Sequence, residues 1–171
     1  MQYYEALGLE PKLALDLEDL KKRFYDRSRQ WHPDRFSRAE PSERQRALDM
    51  TALLNDAFRT LRDPVTRAEY FLKQSGLELS KDAPPELLEE VFELNMALEE
   101  LRSGDDSVQA QLEAARERFS GMLKGTETRL QELFSEGPEK LDEIRGVLNR
   151  RRYISNLVRE VDKELNVPLS N

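Results

Sequence analysis

The chain has 171 residues, of which 38% are hydrophobic and 36% charged, with a formal net charge of −7, one histidine and no cysteine. The missing cysteines exclude disulfides, thiol nucleophiles and the usual thiolate ligands of structural zinc or an iron–sulfur cluster, and the lone histidine excludes a multi-histidine metal site. Residues 1–75 carry 14 Lys and Arg against 13 Asp and Glu, whereas residues 76–171 carry 13 against 21, so the second half would repel a phosphate backbone and nucleic acid is not expected as a partner.

The seven Gly and eight Pro fall mostly between periodic stretches and β-branched runs are absent, so the expected fold class is all-α. There is no apolar run of bilayer length and no leader pattern at Met1, which predicts a cytoplasmic location and no membrane partner. Tyr3-Tyr4-Glu5-Ala6-Leu7-Gly8-Leu9 reads as a short helix closed by Gly8. Leu17, Leu20, Phe24 and Trp31 recur at helical spacing and, with Asp16 as cap, predict an amphipathic helix over 16–31. Pro33 disfavours helix at His32 and lacks an N–H, so that helix must stop there. Pro41 fits the first turn of the next helix, which runs over 41–62 with Leu48, Leu54, Phe58 and Leu61 on one side. Asp63-Pro64 stops it and can cap a further helix over 64–75.

A domain boundary is expected at 76–85, around Pro84-Pro85, which divides the chain into a domain over 1–75 and another over 86–171. Three acidic helices follow: Pro85 to about Arg102, about Asp106 to Phe134, and Pro138 to about Leu165. Gly121 and Gly125 weaken the second, whose Leu112, Ala115, Phe119, Met122, Leu130 and Leu133 fall at three- and four-residue steps. Short turns between them predict an antiparallel three-helix bundle.

His32-Pro33-Asp34 is the stretch around which the first half is organised. A single His beside a Pro is by itself an ordinary turn residue, and Asp34 could merely cap the next element. The context narrows the choice. The helix before it, the run Asn55, Ala57, Phe58, Leu61, Asp63-Pro64, and the pair Arg67 and Tyr70 together resemble a J domain over residues 1 to about 72. That resemblance implies that His32, Pro33 and Asp34, with the neighbouring Arg35, dock on a DnaK-type ATPase chaperone and stimulate its ATP hydrolysis. The chemistry fits: Asp34 is an acceptor-only carboxylate suited to an arginine, and Pro33 lowers the ordering cost of the loop. No residue here acts on a substrate, so the chain is not expected to be an enzyme and needs no cofactor. By the same resemblance Lys21, Lys22, Tyr25 and Arg29 form a basic face for the chaperone; mixed charge alone reads equally as a solvated face. Asp26 stands where J domains commonly carry a basic residue, which permits a specialised chaperone.

On the first acidic helix Leu87, Val91, Leu94, Leu98 and Leu101 make one apolar stripe, and Leu88, Phe92 and Met96 make a second. Periodicity leaves open whether the second is core or surface, since a bundle helix touches two others. The stretch Leu88-Glu89-Glu90-Val91-Phe92-Glu93-Leu94-Asn95-Met96-Ala97-Leu98, behind an N-terminal J domain and before Arg150-Arg151-Arg152-Tyr153 in the last helix, is similar to the HscB-type J-domain co-chaperones of iron–sulfur cluster assembly. Glu89 and Met96 depart from that pattern, where methionine and glutamate are usual. The resemblance implies that the bundle binds an IscU-type scaffold and delivers it to an HscA- or DnaK-type chaperone. Leu88, Phe92, Met96 and Tyr153 would be the apolar centre of the contact, with Tyr153 and Leu157 on an exposed stripe opposite Leu148, and Glu93 and Glu100 would be its rim. Arg150-Arg151-Arg152 point in three directions around a helix and make no phosphate track. A monomer or weak dimer is expected. The alternative is a J-domain co-chaperone for a different client or for unfolded chains.

Overall fold

The computed structural model describes residues 1–165, and residues 166–171 of the expected bundle domain lie outside the described residues. The described residues form helices and turns without a strand, and no helix among them is long and apolar enough to cross a membrane. The all-α expectation holds. The chain forms two compact units, Met1–Glu78 with Phe134–Pro138, and Leu79–Leu133 with the chain from Glu139.

The first unit is built on two long helices, α2 (Leu17–Gln30) and α3 (Pro41–Arg62), with a short α1 (Gln2–Ala6) and α4 (Pro64–Gln74) against them. The ends follow their local chemistry. Asp16 accepts from the N–H groups of Glu18 at 2.9 Å and Asp19 at 3.3 Å, and Asp63 accepts from Val65 at 2.8 Å and Thr66 at 3.1 Å, which satisfies backbone donors that the first turns cannot bond internally. His32 has ψ 130, the extended conformation imposed by the following proline, and α2 ends before it. Gly8 adopts φ 64, where a side chain is disfavoured, and its carbonyl accepts from Arg23 Nη1 at 2.6 Å. Tyr4, Leu7, Leu20, Leu54, Ala57 and Leu61 form one buried cluster. The Tyr4 hydroxyl donates to the Lys12 carbonyl at 2.8 Å, and burial holds its pKa far above that of a free tyrosine, so it stays neutral.

Two positions correct the expected core face. Leu48 is 51% exposed and Leu17, in the first turn of α2, 41%. The face that α3 buries runs through Ala47, Leu54 and Leu61 at seven-residue steps, with Ala57 beside them; Leu48 lies about 100° round from Ala47. Small alanines let the helices approach closely, and an alanine is easily passed over beside a leucine.

The second unit contains α5 (Leu88–Arg102), α6 (Gln109–Leu123), most of α7 (Thr126–Glu136) and α8 (Leu141–Glu164). The single helix expected from Asp106 to Phe134 is two. Lys124 turns to an extended ψ of 140 and Gly125 to φ 80, which breaks the helical ladder, while Thr126 Oγ1 donates to the Leu123 carbonyl at 2.9 Å. Gly121 lies within α6 and does not interrupt it. Val91, Leu94 and Leu98 of α5 pack with Leu112 and Phe119 of α6 and Ile154, Leu157 and Val161 of α8. Arg116 and Asp162 form a partly buried ion pair between α6 and α8. Arg102 reaches Glu164 at 2.9 Å and Glu160 at 3.2 Å, and these bonds hold its guanidinium charged more firmly than usual.

Leu157 is a second kind of correction, for it is 6% exposed and belongs to this core rather than to an exposed stripe. Along α8, Ile144 and Leu148 are buried in the first half, and Ile154, Leu157 and Val161 in the second. At about 100° per residue the second group is centred about 130° round the helix from the first, so Leu157, opposite Leu148, can still be core.

The break at Gly125 makes two substitutions diverge in sign. Nothing lies within 4 Å of a Cβ at Gly121 or Gly125, so only backbone conformation matters. Gly121→Ala should stabilise the protein by about 0.5–1 kcal/mol in urea unfolding, and Gly125→Ala should destabilise it by about 1 kcal/mol. Stabilisation by both would mean that α6 and α7 are one helix in solution.

Candidate functional site

The turn between α2 and α3 sets out the first group of candidate residues. After Trp31 the chain makes a single 3₁₀ turn, Pro33–Phe36, and the Trp31 and Phe36 rings stack with centroids 5.8 Å apart. Arg46 of α3 covers the Trp31 ring at 5.3 Å, and Thr51 Oγ1 donates to the Trp31 carbonyl at 3.2 Å. The turn is thus fastened from behind by aromatic and backbone contacts. Its polar groups face outward: the His32 side chain is 59% exposed and that of Asp34 92%.

His32 Nδ1 accepts a hydrogen bond from the Asp34 backbone N–H at 3.2 Å. A neutral imidazole accepting at Nδ1 carries its proton on Nε2, which leaves an Nε2–H donor directed away from the turn. Asp34 offers carboxylate oxygens beside it. The tip therefore presents one donor and one anionic acceptor on a short, Pro-fixed loop.

Tyr25, Ser28, Arg29, His32 and Arg35 line one concavity of about 520 Å3. The structure brings together four of the residues expected to meet a chaperone and adds Ser28, which no sequence pattern singled out. Lys21 and Lys22 are exposed on α2 but do not line this concavity. Asp26 binds Arg29 Nη2 at 2.7 Å, and Lys21 lies 3.5 Å from Glu18. The basic face is thus partly neutralised by carboxylates of its own helix.

The second group lies in the other unit. Leu88, Phe92 and Met96 are 56%, 67% and 47% exposed, at steps of four along α5, while Val91, Leu94, Ala97 and Leu98 behind them are buried. The question that periodicity left open is answered: this stripe is surface. Glu93 and Glu100 are exposed beside it, and Glu93 lines the groove between α5 and α6. Tyr153 is half-buried against the core and lines a groove of about 420 Å3 on the α8 side, together with Asn95. It does not stand out as the stripe does. Arg150 and Arg152 are exposed and Arg151 half-buried, in keeping with three directions around α8. No group of three or more His, Cys, Asp or Glu among the described residues is arranged to hold a metal ion.

A helical hairpin with His-Pro-Asp at its tip, followed by a separate helical unit, defines a J-domain protein. Residues 2–70 match the DnaJ domain family and residues 83–162 the family described as the HSCB C-terminal oligomerisation domain. The chain is 32% identical over 168 residues to a co-chaperone protein HscB homolog of Vibrio vulnificus, covering 95% of each, and 37% identical over 111 residues to one of Neisseria meningitidis, covering 61% of this chain and 66% of that one. Chaperone HscB from Vibrio cholerae superposes with a TM-score of 0.64 at 30% identity over 99% of this chain and 100% of that one. The human co-chaperone protein HscB shares the fold, with a TM-score of 0.68 at 24% identity over 99% of this chain and 84% of that one. The chain belongs to the HscB co-chaperone family, with an N-terminal J domain and an HscB-type C-terminal helical domain.

The Nδ1 contact fixes an observable. In nitrogen-15 spectra of the imidazole at a pH where it is neutral, His32 should be in the Nε2–H form. Nδ1 protonation would mean that the Asp34 N–H bond does not form in solution.

Proposed function

We propose that this protein is an adaptor: its helical unit binds an IscU-type iron–sulfur scaffold, and its His32-Pro33-Asp34 turn engages an HscA- or DnaK-type chaperone and stimulates that partner's ATPase. The observation that carries the reading is the exposed Leu88–Phe92–Met96 stripe, which makes up the exposed large hydrophobics among the described residues of its unit. Isolated apolar residues on a surface are ordinary, whereas three in a row on one helix face mark a place another protein covers.

In this reading Phe92, with Leu88, Met96 and Tyr153, supplies the apolar contact, and Glu93 and Glu100 set orientation. At the other surface Asp34 pairs with a cation of the chaperone, the His32 Nε2–H donates, and Tyr25, Arg29 and Arg35 border the contact, with Lys21 and Lys22 adding long-range attraction. The protein does no chemistry itself. It joins two binding events on one chain, which raises the scaffold's effective concentration at the chaperone. Its place of action is the cytoplasm.

Calorimetric titration with an IscU-type scaffold from the same organism, alongside ATPase assays on the chaperone, separates the two activities. His32→Gln should abolish ATPase stimulation and leave scaffold binding unchanged. Phe92→Ala should weaken scaffold binding by about 2 kcal/mol, roughly 30-fold, with the melting temperature little altered because the ring is already in water. Normal ATPase stimulation without any scaffold binding by the wild-type protein would overturn the client assignment.

A further inference from the structure

The two edges of the α5 stripe differ in kind. Taking Phe92 as reference, Glu89, Glu93 and Glu100 lie about 60–100° to one side at 100° per residue, toward α6, while Asn95 lies about 60° to the other, toward α8, and Glu99 stands about 20° to that same side, beyond Met96 at the C-terminal end of the stripe. Glu89, Glu93, Glu99 and Glu100 are exposed. On the Asn95 side is the groove of about 420 Å3, lined by Ser80, Lys81, Asn95, Arg152, Tyr153 and Asn156 together with Leu157 and Glu160.

This groove differs from the rest of an acidic unit. Lys81 and Arg152 are both exposed at it and neither makes an ion pair with a described residue, whereas its one carboxylate, Glu160, is held by Arg102 at 3.2 Å. The Lys81 side is anchored: the Ser80 N–H donates to Asn149 Oδ1 of α8 at 2.8 Å, and the Asp82 N–H to Ser80 Oγ at 3.1 Å. Two side-chain amides, Asn95 and Asn156, supply further donors, and Tyr153 provides a half-buried aromatic wall. The set consists of two cations, two amides and a ring beside an apolar stripe, and it suits a carboxylate whose neighbouring apolar side chain lies on Phe92.

We propose that the groove lined by Lys81, Asn95, Arg152 and Asn156 is a carboxylate-binding subsite for an Asp or Glu of the protein client that covers the Leu88–Phe92–Met96 stripe. The proposal rests on the client reading above and adds the partner's chemistry to it. The client segment carries an apolar anchor with an acidic residue on the α8 side, and its cations face Glu89, Glu93 and Glu100. Opposite charges at the two edges allow one orientation of the client and penalise the reversed one, in which carboxylates would oppose each other.

The test is titration of the IscU-type scaffold with the full chain carrying Lys81→Glu and Arg152→Glu together, at low and high salt. The expected result is binding weakened roughly fivefold or more at low salt, with a slower association rate and a flattened or inverted salt dependence. Arg150→Glu changes the net charge without lining the groove, and should change affinity less than twofold. Arg152→Lys keeps the cation and should retain most of the affinity. Lys81, Arg150 and Arg152 are all surface sites, and unchanged melting confirms that the variants fold. If Phe92→Ala weakens binding while the double reversal leaves it at the wild-type value, the subsite is wrong and the client face stands. An equal loss from Arg150→Glu would reduce the effect to net charge and also overturn the subsite. Absence of binding by the wild-type chain would sink the client reading itself.

Discussion

What the first unit can offer a partner depends on α2 and α3 remaining closed against each other, and the Phe24–Phe58 stack between them, with centroids 4.3 Å apart and planes 12° apart, is central to that closure. Offset ring pairs of this kind add about 0.5–1.5 kcal/mol beyond the area they bury. With α2 and α3 closed, Trp31 and Phe36 can stack under the turn, and of the two functional side chains only His32, through Nδ1 to the Asp34 N–H, helps to hold the backbone of Pro33–Phe36. The Nε2 edge of the imidazole and the exposed Asp34 carboxylate remain open to a partner. A partner that binds there leaves the contacts that brace the turn in place.

The helix α5 has two apolar stripes and can bury only one of them. Val91, Leu94 and Leu98 take the core, so Leu88, Phe92 and Met96 remain in water. Full burial of side chains of this size would stabilise the fold by about 1.5–3 kcal/mol each. The fold does without that gain, and the same free energy is left for whatever covers the face. Glutamates beside the stripe keep the face soluble and give it a direction, which a purely apolar stripe would lack.

Much of this was legible in the sequence, for identifiable reasons. Helix ends followed from Asp16, Pro33, Pro41 and Asp63-Pro64, because caps and prolines act through the backbone within a turn and need no tertiary context. The tip residues were legible because their spacing is local. The misreadings arose where distant contacts decide. Leu48 outranked Ala47 on hydrophobicity, yet it is Ala47 that the fold buries completely. Leu157 looked exposed because it lies opposite Leu148, whereas the buried face of α8 shifts by about 130° between its two halves. The α6–α7 break was partly visible, since Gly125 was marked as weak. Only the positive φ distinguishes it from Gly121, and φ is not written in composition. The Asn149–Ser80 bond, 69 residues apart in sequence, leaves no periodic trace at all.

Charge completes the argument for separate tasks in the two halves. The first half is nearly neutral overall, and its cations gather on α2 and at the tip, where Arg29 and Arg35 stand beside His32. The second half is acidic, and its stripe is bordered by carboxylates. Screening over about 8–10 Å at physiological salt means that each surface is felt by an approaching protein largely as a local patch and not through the net charge of −7. A single chain can therefore attract an acidic partner at one surface and a basic segment at another. That is the electrostatic requirement for holding two unlike proteins at once, and an evenly distributed −7 would not meet it.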